Sequence, residues 1–293
     1  MFVATLIAAD RLSHASIDAV SAALTAAGCR PGEPVWLDQG SAADIGFVAD
    51  MDAGRAAIAA LDLPIDFAVQ PTADRAKRLL VADMDSTMIT IECIDELADY
   101  AGIKPQIAEV TERAMRGELD FSAALTERVA LLRGLDDAVL DQCRTERVVL
   151  TPGAETLVRT LRARGGFALL VSGGFTRFAE PVAREIGFDR AIANLLEFED
   201  GKLSGTVTFP IVDAERKRAE LLAHVAELGI ELTETIAIGD GANDIPMIDA
   251  AGLGIAYHAK PKTQAAADAA INYGDLTAVL WMLGIPSAEW WRG

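Results

Sequence analysis

Hydrophobic and polar positions change rhythm once along the chain, near residue 78. Before it, short apolar runs alternate with helical periodicity. Residues 2–9 read as a buried strand, 13–28 as a helix stopped by Gly28, 34–38 and 45–49 as short strands, and 65–69 as another. Residues 50–61 read as a helix with Asp50 or Asp52 as its cap. The order β-α-β-β-α-β predicts a split, ferredoxin-like α+β unit over 1–72. Residues 70–78 (QPTADRAKR) are polar, contain a proline and read as a linker, with Arg75, Lys77 and Arg78 solvated.

Beyond it, continuous apolar runs occur at 79–83 (LLVAD), 167–171 (FALLV), 235–238 (TIAI) and 253–256 (LGIA). Such runs are typical of strands buried on both faces of a parallel sheet. Helical segments separate them at 153–164, 175–186, 214–228 and 245–251. The alternation predicts an α/β second domain, 73–293, with a doubly wound parallel sheet. Residues 94–147 carry helical pattern for far too long to be one crossover. They predict a helical cap, about 92–148, inserted in the core just after its first strand. Asp200-Gly201 marks a hairpin within 195–207.

Composition narrows the function classes. The 293 residues are 51% hydrophobic, enough for substantial cores, with 44 acids against 26 bases and a net charge of −18. Phosphate arrays would repel such a chain, so nucleic acid and anionic membranes are poor partners, while a small anion remains open if local cations or a metal neutralise its site. Cys29, Cys93 and Cys143 fit no zinc or CxxC spacing and read as free thiols of a reducing compartment. No 18-residue apolar stretch and no basic leader segment occurs, so a cytoplasmic location is expected. Met115, Met247, Trp281, Trp290 and Trp291 are expected to pack. His14 is expected at the surface or as a cap.

In open α/β sheets, ligands bind at the carboxyl ends of the strands. Those ends carry Asp83-Met84-Asp85, Ser172-Gly173-Gly174, and Asp240 with Asn243 and Asp244. Residues i and i+2 of extended chain point the same way, so Asp83 and Asp85 can form a nucleophile and acid/base pair or a cation site. Asp240 and Asp244 add carboxylates to the same edge. A pocket of like charges needs a counter-charge, and all-oxygen ligation suits Mg²⁺. Ser172, beside two glycines at a strand-to-helix turn, can hold a phosphate with its hydroxyl and nearby N–H groups. Lys217, four residues past Asp213, can supply a fixed positive charge.

Asp83-Met84-Asp85-Ser86-Thr87 resembles the DxDxT motif of haloacid dehalogenase-like phosphotransferases, and Ser172-Gly173-Gly174, Lys217 and 239–244 (GDGAND) resemble their other three motifs. The match spans about 79–285, and narrows to the phosphoserine phosphatase family on DMDST, Glu92, the segment 121–132, SGGF and GDGANDIPM. The resemblance implies Asp83 as nucleophile and Asp85 as general acid, then base. It implies Mg²⁺ on Asp83, the Asp85 carbonyl and Asp240, with Asp244 supporting. Ser172, Gly173 and Lys217 would bind phosphoryl oxygens and Asn243 would order that side. Glu92 would meet the ammonium and Arg128 the carboxylate of O-phosphoserine, with Phe121 closing over it. Read alone, Glu92 is more simply a helix-start acid, Arg128 a surface partner and Phe121 a core residue. Another small phosphorylated amino acid or alcohol, such as phosphohomoserine, is the alternative substrate. A non-catalytic amino-acid sensor is disfavoured by the intact acids. By element order and length the first 72 residues resemble an ACT-type amino-acid-sensing module. They carry no ligand motif, and a structural or homodimer-forming role is equally open.

Overall fold

The computed structural model describes residues 1–293 except the Met115 side chain, which lies outside the described residues. The amino-terminal unit runs β1 (Phe2–Ile7), α1 (His14–Ala26), β2 (Val35–Asp38), β3 (Ala42–Phe47), α2 (Met51–Ala59) and β4 (Asp66–Pro71). Ser13 Oγ accepts from the Ser16 N–H, and Asp50 Oδ1 from those of Asp52 and Ala53, satisfying orphan donors at both helix starts. All strand pairings are antiparallel in the order β2-β3-β1-β4, the split arrangement. The third strand lies at 42–47 rather than 45–49. Ala42 and Ala43 are weak strand formers by type, but both are wholly buried against β1, while Ala49 turns away at φ +99°.

The remainder runs β5 (Leu79–Ala82), then four helices, α3 (Cys93–Tyr100), α4 (Lys104–Met115), α5 (Phe121–Leu131) and α6 (Asp137–Arg147). After α7 (Ala154–Ala163) come β6 (Phe167–Phe175), α8 (Thr176–Ile186), β7 (Arg190–Asn194) and the hairpin β8 (Leu196–Glu199) and β9 (Lys202–Val207). Next are α9 (Ala214–Leu228), β10 (Thr235–Gly239), α10 (Ile245–Ala250), β11 (Gly254–Tyr257), α11 (Pro261–Ala266), β12 (Ala269–Ile271) and α12 (Ala278–Met282). Strands β12-β11-β10-β5-β6-β7 are parallel in that order. The strands are buried on both faces. Leu79 and Val81 pack with Leu221 of α9 and Met247 of α10, while Leu80 and Ala82 pack with Leu157 of α7 and Phe178 of α8. From β5 the chain winds outward through β6 and β7, then returns to β10 on the other side, so the strand order reverses at β5/β10. A crevice opens at such a reversal.

Two expectations for residues 70–78 are corrected. There is no free linker, because β4 pairs antiparallel with β12 (Phe67 opposite Ala270) and one sheet of ten strands runs through both units. Nor is Arg75 solvated. Its guanidinium grips Asp44 at 2.6 and 2.8 Å, Thr5 Oγ1 at 2.9 Å and the carbonyls of Met282 and Trp281. A fork of five donors satisfies partners from several segments at once, which is why arginine serves here. Asp66, buried, accepts from the backbone N–H groups of Asn272, Tyr273 and Gly274, and Gln70 donates to the Met282 carbonyl. Polarity in this stretch reflects partners contributed by distant chain.

All three cysteines are free and buried. Met247 is buried; Trp281 packs against Trp290 with tilted rings, centroids 4.8 Å apart, and donates to Asp38. No described helix is long and apolar enough to cross a membrane.

Candidate active site

The crevice at β5/β10 is where the acidic residues meet. Asp83 follows β5 directly, its N–H bonded to the Ile238 carbonyl of β10 at 2.9 Å. Its buried carboxylate accepts from Lys217 Nζ at 2.5 Å. Lys217 lies one turn into α9, whose start is capped by Asp213. That ammonium, wholly buried, also donates to Asp244 Oδ1 at 2.7 Å, while Asp244 Oδ2 accepts from the Gly241 N–H. A side chain at Gly239 would overlap the Asp244 carboxyl, so glycine is what allows this approach.

Next along the chain, the Met84 carbonyl accepts from the N–H groups of Thr87, Met88 and Ile89, curling the chain into a tight turn. Ser86 sits in it at φ +56°, a left-handed conformation uncommon outside glycine, and its hydroxyl donates to Glu92 at 2.7 Å. The turn carries Asp85 back over the crevice. Its Oδ1 accepts from the Cys93 N–H at 3.3 Å, and a Cβ at Gly174 would lie 2.7 Å from its Oδ2. Asp85 and the Ser172–Gly174 segment are therefore neighbours.

Ser172 is buried, and its Oγ accepts from the Gly174 N–H at 2.8 Å. Here the expectation of a strand-to-helix turn is corrected, since β6 runs on to Phe175 and α8 begins only at Thr176. The pairing of β6 with β7 breaks between Val171 and Phe175, and the freed residues are those at the site.

The four-helix cap supplies the roof. Phe121 opens α5, and its ring edge would stand 2.8 Å from a Cβ at Gly173, so aromatic and glycine close against each other. Arg128, two turns on, is half-buried; the contact of its guanidinium among the described residues is the Ala124 carbonyl at 3.4 Å. Glu92 stands at the first position before α3, exposed at the mouth, its carboxylate bonded to the Ser86 hydroxyl and not to the helix.

Electrostatics follow from burying so many acids together. Burial, then the nearby Asp244 charge, pushes Asp83 well above the usual carboxylate range, with Lys217 opposing. Burial and then Glu92 raise Asp85 to about 7. Burial and then Asp244 raise Asp240 to about 6. Glu92, exposed as a residue, is raised by the partial desolvation of its carboxyl among neighbouring protein atoms, and Arg128 is lowered by burial. Burial alone would lower Lys217, but Asp244 and Asp83 outweigh it and hold the ammonium charged.

Carboxylate oxygens of Asp83, Asp240 and Asp244 lie within 4.8 Å of one another. Lys217 is the one cation hydrogen-bonded to this trio among the described residues, which leaves excess negative charge on hard oxygen donors. That donor set fits a divalent cation such as Mg²⁺. Asp244 already spends both oxygens on Lys217 and Gly241, so Asp83 and Asp240 have more freedom to ligate.

The structure therefore brings Asp83, Asp85, Ser172, Gly173, Lys217, Asp240 and Asp244 to one crevice, with Glu92, Phe121 and Arg128 on its cap side. Asn243 is half-buried in the turn after β10, its Oδ1 pressed against Gly241. Sequence reasoning gave no role to two residues. Thr87, buried, donates to Asp240 Oδ1 at 3.3 Å; its place in the DxDxT pattern was the available signal. Asn194, also buried, bonds to Gly173 and Val212, and nothing in its surrounding sequence marks it.

This fold and site define a class: the haloacid dehalogenase-like hydrolase family, whose model matches residues 80–249 and to which the chain belongs. Within that family it is similar to phosphoserine phosphatases. It is 51% identical over 215 residues to one from Streptomyces coelicolor, in a match covering 73% of this chain and 52% of the relative. The chain thus spans about half that relative's length. It is 47% identical over 208 residues to one from Polaromonas sp., covering 69% and 88%. The unliganded crystal structure of a probable phosphoserine phosphatase from Vibrio cholerae superposes with a TM-score of 0.77 at 35% identity, over 98% of this chain and 87% of that one.

Proposed function

We propose that this protein hydrolyses O-phosphoserine to serine and phosphate. The observation that carries the reading is the pairing of Asp83 on Lys217 at the β5/β10 crevice, with Asp85 beside the Ser172–Gly174 segment and Glu92 and Arg128 at the mouth. The names of the relatives support the same substrate.

In this reading the ammonium of phosphoserine meets Glu92 and its carboxylate meets the Arg128 fork, while Phe121 shuts out water. Ser172, the Gly173 N–H and Lys217 hold phosphoryl oxygens, and Asn243 orders that side. Asp83 attacks phosphorus, forming a P–O bond as the bond to the serine oxygen breaks. Asp85 gives its proton to that oxygen and serine leaves. A carboxyl held near 7 suits this, being substantially protonated at neutral pH. Asp85, now ionised, takes a proton from water as its oxygen attacks the aspartyl-phosphate, releasing phosphate and restoring Asp83. Mg²⁺ on Asp83, the Asp85 backbone carbonyl and Asp240, with Asp244 supporting, would supply charge neutralisation for the phosphoryl oxygens.

The wider reading is a cytoplasmic enzyme with a small-molecule partner, its residues 1–72 a module that senses an amino acid or joins two copies. Phosphate release from a panel of phosphoserine, phosphohomoserine and sugar phosphates, with and without Mg²⁺, tests the core of it. Phosphoserine should be cleaved fastest and only with the cation. Faster cleavage of sugar phosphates would overturn the substrate.

A further inference from the structure

We propose that Asn194 is a positioning residue of this site, whose side-chain amide sets the Ser172 hydroxyl and the Lys217 ammonium at a fixed spacing. The inference rests on the phosphoryl-binding roles given above to Ser172 and Lys217.

Asn194 ends β7 and is 2% exposed. Its Nδ2 donates to the Gly173 carbonyl at 2.8 Å, and its Oδ1 accepts from the Val212 N–H at 2.8 Å. A carbonyl only accepts and a backbone N–H only donates, so these partners admit one orientation of the amide. The contact replaces missing sheet structure. Ladder pairing between β6 and β7 is interrupted from Val171 to Phe175, where Ser172–Gly174 bulge toward the crevice. The Asn194 side chain bonds the backbone that the ladder leaves.

The peptide it grips links Gly173 to Gly174. The carbonyl end is held by Asn194, and the N–H end donates to Ser172 Oγ at 2.8 Å. With that lone pair occupied, the Ser172 hydroxyl proton is left to donate into the site. Hydrogen bonds in series polarise and orient one another. At the other end of the amide, Val212 immediately precedes Asp213, which caps α9 by accepting from the Arg216 N–H at 2.8 Å. Lys217 projects from the turn that follows and reaches Asp83. One amide thus ties the start of the lysine's helix to the serine's loop, two segments far apart in sequence that share no strand pairing.

The test compares the full chain with Asn194→Ala and Asn194→Asp. The aspartate is near-isosteric and keeps an acceptor for Val212, but turns lone pairs toward the Gly173 carbonyl. Kinetics on phosphoserine and on p-nitrophenyl phosphate would be measured with the inhibition constant of inorganic phosphate, the Mg²⁺ half-saturation and a circular-dichroism melt. We expect kcat to fall about 100-fold on both substrates. Phosphate inhibition should weaken about tenfold. Mg²⁺ half-saturation should move less than the phosphate constant, because Asn194 contacts neither Asp83 nor Asp240. A folded variant with native kcat and native phosphate inhibition overturns the proposal. So does a loss confined to phosphoserine, which would lie at the amino-acid end. If the alanine variant does not fold, the aspartate variant carries the same two outcomes. A native protein that cleaves p-nitrophenyl phosphate but not phosphoserine would remove only the substrate assignment, and the comparison is then decided on the first compound.

Discussion

The Lys217 ammonium donates to Asp83 at 2.5 Å, joining residues 134 positions apart in the chain. It shares the same proton set with Asp244, so one buried cation answers two buried carboxylates. Removing it leaves both uncompensated. Lys217→Met should destabilise the metal-free protein by about 3 kcal/mol at pH 8, the usual cost of deleting one partner of a buried ion pair. It should also lower phosphatase activity by at least about 100-fold. Urea denaturation and phosphate release check the two effects; an unchanged midpoint would mean that the ammonium is not what holds these acids together.

Asp83→Asn should divide stability from activity. The substitution removes a buried charge that Asp244 and Asp240 oppose, so the metal-free protein should melt about 2–4 °C higher at pH 8, as expected for relief of roughly 1 kcal/mol in a domain of this size. Phosphate release should vanish with the nucleophile. Retained turnover would overturn the assignment of Asp83.

The pH dependence of the metal-free protein follows from Asp85 near 7 and Asp240 near 6 against an unfolded value of 3.8. The folded state binds these protons more tightly than the unfolded state. Their contribution to stability is therefore full below the unfolded value and is lost as pH rises through 6 to 7. Melting temperature without metal should fall between pH 5 and 8. Mg²⁺ should raise it more at pH 8 than at pH 5.5, and calorimetry at pH 6 should detect proton release on binding. A rise in stability over this range without metal would contradict the shifts.

Arg128→Met should raise KM for phosphoserine about 100-fold while leaving p-nitrophenyl phosphate, which has no carboxylate, at its native KM. Equal losses on both compounds would place the guanidinium's effect in the cap's packing instead.

Arg75→Met tests the seam between the two units. It leaves the part-buried Asp44 carboxylate without its cation, with only the Thr5 hydroxyl still donating to it, and takes one of two donors from the Met282 and Trp281 carbonyls; it should cost about 3 kcal/mol in urea denaturation without changing kcat. An unaltered midpoint would mean that the sheet pairing of β4 and β12 suffices alone.

Much of the architecture is legible in local pattern. The runs at LLVAD, FALLV and TIAI are apolar because both faces of a parallel strand are covered, and that requirement is visible without coordinates. Ser13 and Asp50 announce helix starts because capping is a contact between near neighbours. The chemistry is legible for a related reason. Asp83 and Asp240 directly follow strand ends, Ser172 sits where the β6–β7 ladder breaks, and the carboxyl ends of such a sheet converge on one edge.

Contacts between distant segments were decided only by the tertiary structure. Short strands such as Ala269–Ile271 bury too few residues to stand out, and it is this one that receives β4 and fuses two units into one sheet. Arg75 and a surface arginine look alike until Asp44 and the Met282 carbonyl arrive beside it. Asn194 is one asparagine among alanines and leucines until the fold sets Gly173 and Val212 on either side of its amide. The sequence by itself determined the long apolar strands of the core, the helical cap and the acids at the crevice, because each depends on periodicity or on position along one segment. The raised pKa of Asp85, the pairing of Asp83 with Lys217 and the bond between loop and helix depend on burial and on partners from elsewhere in the chain, and only folding supplies those.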